Sequence, residues 1–429
     1  MSHDDSPEPL IRPRLATRLQ SARVDVSPRV VRSLGPDLAR GMLLLLIASA
    51  NVWGYLWSQE GYNEAGGRPV GGSSLDHFVD GVLTLLVDSH TKPMFAILYG
   101  FGLATMAARL AARGADRKAT RGVLARRSVW LIVLGLLHAA LLYGGDILAP
   151  YGAAGLVALL FLHRSRRALG WWFGIAYVLS MTAAAISLFV SFDSGSSDGA
   201  ATVATTTYLS SALERLTATV TVTSLYTLCL MFVPHIVVGI LLARAGWLTR
   251  PAEHRRRLGQ VTVVAVAVSL VGSLPYALAV GQVWHLSEAL LATTVLVHHI
   301  SGDVMGLAYI CLFGWLAAVW GQRARRGVVS AVTAVGERSL TSYLLQSVMF
   351  APLLSDWGLG LGEHLSTTQA ALLAVGVWLV TVAIAVALQR AGRRGPFETL
   401  LRRLSYGRPQ PVQKAPEASG SSRPVGVQP

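Results

Sequence analysis

Long apolar stretches alternate with short polar ones along the whole chain, and they are too uniform for the amphipathic helices of a soluble domain. Ten stand at approximately 41–57, 93–108, 128–144, 147–162, 169–192, 224–243, 260–280, 302–320, 331–350 and 369–388. At ~1.5 Å of rise per residue, runs of this length cross ~30 Å of hydrocarbon. The pattern predicts an all-α polytopic membrane bundle of about ten transmembrane helices. It also divides the chain into a basic tail over 1–33, a transmembrane domain over 34–407 and a second tail over 408–429. Both tails are Pro-, Ser- or charge-rich, bury too little apolar area to offset their ordering entropy, and read as disordered. The first apolar run begins too late for a signal peptide and reads as a retained span. Between the fifth and sixth runs, Phe192–Thr223 reads as a loop with one short helix around Tyr208–Leu216. GPFETLLRRLSYG reads as an amphipathic surface helix started by Pro396.

Charge orients this bundle. Putting both termini in the cytoplasm leaves 33 of the 37 Lys and Arg residues in the tails and alternate loops on that side. Arg68 and Arg215 alone fall in opposite loops, while Lys92 and Arg338 sit at helix ends. Such asymmetry is what the positive-inside rule produces, and it implies an even number of spans in the cell membrane. The net charge of +14 then needs no nucleic-acid partner, because short cytoplasmic loops facing anionic lipid account for it. The remaining composition, 52% hydrophobic and 14% charged, lies outside the range of soluble domains. Cys229 and Cys311 each sit inside a span without a neighbouring cysteine, which argues against a disulfide or zinc site.

Ionisable groups are scarce at depth, and each costs energy there, so each is a candidate for function. Near the exterior mouth the pattern gathers Asp76, His77, Asp80, Asp88, His90 and Lys92, then Asp146, then His285, Glu288, His298, His299 and Asp303. His298 and His299 are adjacent and point to different sides of a helix, against a shared metal, so no metal site is expected. His138 lies about two turns below Asp146, too far to pair along one helix. Gly144 and Gly145 allow a sharp turn that folds Asp146 back over the mouth, where its carboxyl also suits the start of the next helix. His138 reads either as a satisfied core imidazole or as a general base. Lys92 either snorkels to the interface or, facing inward, offers a counter-charge to Asp88 or Asp146. Arg338 reads as an interfacial partner of Glu337 or Glu398. The pair of glycines in YGFG, Tyr99–Gly102, reads as close helix packing rather than phosphate binding. Thr341, Tyr343, Gln346 and Ser347 supply groups for hydrogen bonds between helices.

Taken in order, these motifs resemble the DUF418 or YeiB-like family of bacterial membrane proteins, over residues 34–407. LGPDLARGMLLLLIASAN is similar to the family's Asp-x-x-Arg-Gly opening, here Asp37, Arg40 and Gly41, with Asn51 further along. SHTKPMFAILYGFG is similar to its Lys-Phe-x-x-x-Phe stretch, with Pro93 and Met94 inserted after Lys92 and Tyr99 in place of Phe. RRSVWLIVLGLLHAALLYGGDILAPYG carries Arg126, Arg127, His138, Asp146 and Tyr151. VGERSLTSYLLQS, with Glu337 inserted before Arg338 and Ser342 where Asn is usual, and RRGPFETLLRRLSYG complete the set. The resemblance implies a relation to transmembrane acyltransferases. It implies His138 and Asp146 as catalytic residues, with acetyl-CoA or another acyl-CoA as a loosely held donor and an envelope glycan or lipid as acceptor. Asp37, Arg40, Asn51, Lys92, Arg126, Arg127, Tyr151, Arg338 and Gln346 are then the candidate substrate-binding residues. A permease for a small solute is the competing expectation, motivated by the same buried polar groups. The oligomeric state is left open.

Overall fold

The computed structural model describes residues 33–56, 68, 71–193, 207–321 and 326–406. The two tails expected to be disordered lie outside them, apart from Ser33. Among the described residues there are only helices and their connections. The order is α1 (Leu34–Asn51), α2 (Ser74–Leu86), α3 (Thr91–Ala111), α4 (Arg117–Leu141), α5 (Leu148–Ala158), α6 (Arg166–Asp193) and α7 (Tyr208–Leu228). It continues through α8 (Val233–Ala245), α9 (Arg255–Val280), α10 (Glu288–Trp320), α11 (Gly327–Glu337), α12 (Ser339–Leu354), α13 (Thr367–Arg390) and α14 (Pro396–Tyr406). Seven segments are individually long and apolar enough to cross a membrane, and α7 with α8 makes an eighth if that bent pair is one span. The outer surface is apolar, with Trp171, Val263, Val271 and Leu372 all exposed, as lipid contact requires.

Several segments depart from the pattern read in the sequence. The expected sixth span is broken: α7 and α8 meet at 64°, where Leu230 adopts a left-handed φ of 54° and Pro234 starts the new helix. The short helix expected at Tyr208–Leu216 is the first part of α7, capped by Thr207, whose hydroxyl accepts the Ser210 N–H. The expected ninth span is also two helices, because Arg338 leaves helical geometry between α11 and α12. The polar stretch before the second span is itself a helix, α2, held by a capping box between Ser73 and Asp76. Finally, the fourth span is only the eleven residues of α5.

Small residues set the closest crossings. A Cβ on Gly336 would land on the Asp37 carbonyl, and one on Gly41 would land on the Val332 carbonyl, so α1 and α11 touch backbone to backbone. Gly100 against Ile236 and Gly239 against Ile97 do the same for α3 and α8, which is the packing role expected for YGFG. At one end of the bundle Arg126 Nε donates to the Ser405 carbonyl, 2.9 Å away, and Arg244 donates to the carbonyls of Leu162 and Arg164. The first bond ties α4 to α14, and the others tie the end of α8 to the connection before α6. At the other end Asp76 accepts the Thr368 N–H and Asp80 accepts the Thr367 hydroxyl, joining α2 to α13.

Candidate functional site

α4 finishes one turn past His138, and the amides of Leu142 and Tyr143 both bond back to the His138 carbonyl. The chain then turns through Gly144 and Gly145. The reversal brings Asp146 over the helix it has just left, and His138 Nδ1 lies 2.8 Å from Asp146 Oδ1. The separation along the helix axis that seemed to keep the two apart is closed by the turn. Their side chains are 1% and 0% exposed. The other carboxyl oxygen, Oδ2, accepts the Ala149 N–H at 2.8 Å in the first turn of α5. Asp146 therefore serves both as the helix-start acceptor and as the partner of the imidazole.

The surroundings leave little freedom. A Cβ on Gly135 would collide with the Ala149 nitrogen and Asp146 Oδ2, so glycine there is what lets α5 lie flat on α4. Gly152 and Gly155 continue that contact along α5, against Ser128, Ile132 and Tyr99. Tyr343 of α12 closes a third side: its hydroxyl is 3.4 Å from Asp146 Oδ1, and its ring centroid is 5.1 Å from that of His138. Tyr143 stacks on Tyr55 at 4.7 Å and fits against Gly54 and Gly145. Loss of solvent contact raises the pKa of its hydroxyl above the ordinary phenol value. A carboxylate only accepts hydrogen bonds, so in the neutral imidazole the proton sits on Nδ1 and the lone pair on Nε2. Among the described residues Nε2 has no hydrogen-bond partner. The arrangement is an oriented imidazole with its basic nitrogen unengaged.

The other expected site residues scatter. Tyr151 is buried and its hydroxyl donates to the Lys92 carbonyl at 2.6 Å, locking α5 to α3. Gln346 Nε2 donates to the Leu44 carbonyl, a bond between α12 and α1. Arg40 pairs with Asp37 at 3.3 Å within α1, and Asn51 is half-buried at the far end of that helix. Arg127 is half-buried and Arg126 is exposed and tied to α14. Lys92 is exposed, its Nζ 6.0 Å from the Tyr226 ring. It is the counter-charge of neither candidate, since Asp88 takes Arg68 and Asp146 takes His138. Arg338 is buried rather than interfacial: Nη1 caps the Ala334 carbonyl while Nε and Nη2 hold the Arg393 carbonyl. Glu337 stays near it at 3.7 Å, but Glu398 instead accepts the Leu340 and Thr341 amides and the Thr341 hydroxyl, capping α12.

Three contributors were not singled out by sequence reasoning. Arg68 is buried between Asp80 and Asp88 with Trp53 beneath it, 3.9 Å from the ring centroid. Tyr343 was legible only as a hydrogen-bonding group. His235, in the first turn of α8, lies 2.8 Å from Asp303 of α10 and forms a second His–Asp pair. An ionisable residue inside the apolar run MFVPHIVVGI was the available signal. Two open grooves, of about 920 Å³ beside Arg255, Arg256 and Trp315 and about 770 Å³ along Trp171 and Val178, lie away from His138.

Residues 242–408 match a family model described as "Protein of unknown function (DUF418)". Over 394 residues the chain is 26% identical to the uncharacterized protein YeiB of Escherichia coli (strain K12), covering 87% of this chain and 96% of that one. Over 369 residues it is 24% identical to the uncharacterized protein YxaH of Bacillus subtilis (strain 168), covering 80% and 85% respectively. The chain is an α-helical protein with membrane-length apolar helices, whose residues 242–408 match the DUF418 family and which is similar over most of its length to YeiB and YxaH.

Proposed function

We propose that this protein transfers an acyl group, acetyl in the simplest case, from a cytoplasmic thioester to an acceptor outside the plasma membrane. The observation that carries the reading is the buried His138–Asp146 pair, with Nδ1 pinned and Nε2 unengaged. Nε2 removes the proton from an acceptor hydroxyl as its oxygen attacks the thioester carbonyl. The carbon–sulfur bond then breaks, the acyl–oxygen bond remains, and the proton held on the imidazolium passes to the departing thiolate. Asp146 fixes the tautomer and stabilises the imidazolium. The basic end of the bundle, including Arg40, Arg126 and Arg127, supplies cations for the phosphates of a coenzyme A thioester. An envelope glycan or lipid hydroxyl is the acceptor class that this geometry suits.

Purified protein given radiolabelled acetyl-coenzyme A and envelope extract is expected to transfer label, and His138→Ala protein is not. Equal transfer by the variant removes His138 from the mechanism. A second reading, transport of a small solute, is favoured by the 64° break between α7 and α8, since discontinuous helices line the sites of many transporters. It requires solute flux in proteoliposomes without any thioester.

A further inference from the structure

A second set of polar side chains, away from His138, runs from one end of the bundle toward its middle. It begins at the Arg68, Asp80 and Asp88 group, where Arg68 Nη2 lies 2.6 Å from Asp88. His90 at the start of α3 and His298 of α10 come next, 0% and 1% exposed, with ring centroids 5.5 Å apart. The set ends at the His235–Asp303 pair. From Glu288 at its first turn, α10 rises about 22 Å to Asp303 at ~1.5 Å per residue. Beyond that point the buried residues of α10 are Met305, Gly306, Ala308, Ile310 and Cys311 and those that follow, and none is charged.

Every imidazole in this set has, among the described residues, at least one unengaged ring nitrogen. Among the described residues neither ring nitrogen of His90 or His298 completes a hydrogen bond, although the carbonyls of Leu86 and Asp88 lie beside them. His235 Nδ1, Asp303 Oδ2 and Ser273 Oγ of α9 are likewise buried without a partner. Buried polar atoms that converge in this way are the setting in which ordered water is retained. The backbone is arranged to bring the rings together. Ser89, between Asp88 and His90, takes a φ of 60°, and a Cβ on Gly302 would meet the Ser89 carbonyl oxygen at 2.7 Å. The strained turn is thus clamped against α10 one helical turn from His298.

We propose that these groups form a hydrated proton path from the acidic end of the bundle to the His235–Asp303 pair. It is separate from the acyl-transfer reading and needs neither thioester nor acceptor. A hydronium ion reaching Asp80 and Asp88 gives its proton to one nitrogen of His90 and is left as water. The imidazolium releases a proton from its other nitrogen to His298, directly or through a bridging water. His298 passes one on through bridging water to the Asp303 carboxylate, five residues along α10, which becomes a neutral acid still bonded to His235. One positive charge moves inward and no electrons change hands.

Other titratable groups face the path. Tyr276 of α9 stands 4.9 Å from the His298 ring, and Tyr177 of α6 faces Asp303. His299 neighbours Asp303 as well, its Nδ1 bonded to the Val295 carbonyl of its own helix, and Lys92 lies toward Tyr226. His77 of α2 neighbours Asp80, with its Nε2 buried and unpartnered among the described residues.

The test uses the full chain, ¹⁵N-labelled at histidine, in phosphatidylcholine vesicles. Water-edited solid-state NMR is expected to show magnetisation passing from water to the ring nitrogens of His90 and His298. Dry rings overturn the proposal outright, whatever any variant does. In His298→Phe, exchange of the His235 ring proton with solvent deuterium is expected to slow by about tenfold or more, while His138 exchange is unchanged. His298→Gln, which keeps a polar bridge, is expected to slow it less. Unchanged His235 exchange in His298→Phe also overturns the proposal, and if that variant fails to fold, the wild-type water contact decides alone.

Discussion

Replacing Asp146 separates its two duties. In Asp146→Ala the His138 Nδ1–H and the Ala149 N–H both lose their acceptor while buried among α4, α5 and α12. Each stranded donor costs about 1–3 kcal/mol, so the loss is about 2–6 kcal/mol. Asp146→Asn keeps one oxygen for Ala149 and turns its amide N–H toward His138. Nδ1 must then accept, and the proton moves to Nε2. The stability cost falls to about 1 kcal/mol, the difference between a charge-assisted and a neutral bond. Thermal unfolding in detergent micelles compares the two variants, and ¹⁵N NMR of labelled histidine reads which ring nitrogen is protonated. The Asn variant is expected to stay folded, carry its proton on Nε2 and lose acyl transfer. Equal destabilisation by Ala and Asn, or a proton still on Nδ1 in the Asn variant, would refute the assigned bonding.

Three further outcomes follow from other contacts. Arg68→Met strands Asp80 and Asp88 at 3.3 and 2.6 Å from a missing cation and is expected to cost about 3–5 kcal/mol in thermal unfolding; wild-type stability would show the cluster to be idle. Glu398→Ala removes the acceptor for the first amides of α12, and a loss of about 1–3 kcal/mol is expected, with the Gln variant intermediate. A cysteine placed at Arg113, in the connection between α3 and α4, is expected to resist a membrane-impermeant maleimide in intact cells and to react after permeabilisation; labelling before permeabilisation reverses the proposed orientation.

The hydrophobic pattern was enough for the helical class, because apolar runs of span length have few other solutions in lipid. It could not show where a run breaks. Arg338 and Leu230 interrupt α11–α12 and α7–α8 through single-residue changes of backbone geometry, which hydropathy does not register. The His138–Asp146 pair was half legible. Gly144 and Gly145 announced a reversal, but Gly135, seven residues before the turn begins to close, decides that α5 lies close enough for the bond. Buried polarity alone was a weak guide to chemistry: Tyr151, Gln346 and Arg338 all turned out to satisfy backbone carbonyls of other segments. The two arginines that broke the charge asymmetry are explained by structure. Arg68 is neutralised by carboxylates and Arg215 caps the final carbonyls of α4, at Ala139 and Ala140.

Helix length varies sharply within the bundle. α10 has 33 residues and rises about 50 Å, whereas α5 has 11 and rises about 16 Å, half the thickness of a lipid core. No residue of α5 is exposed, so this short helix crosses only part of the bundle interior and is ringed by protein rather than by acyl chains. Its start at Leu148 sets the depth at which Asp146 is held, inside the protein and away from any lipid-facing edge.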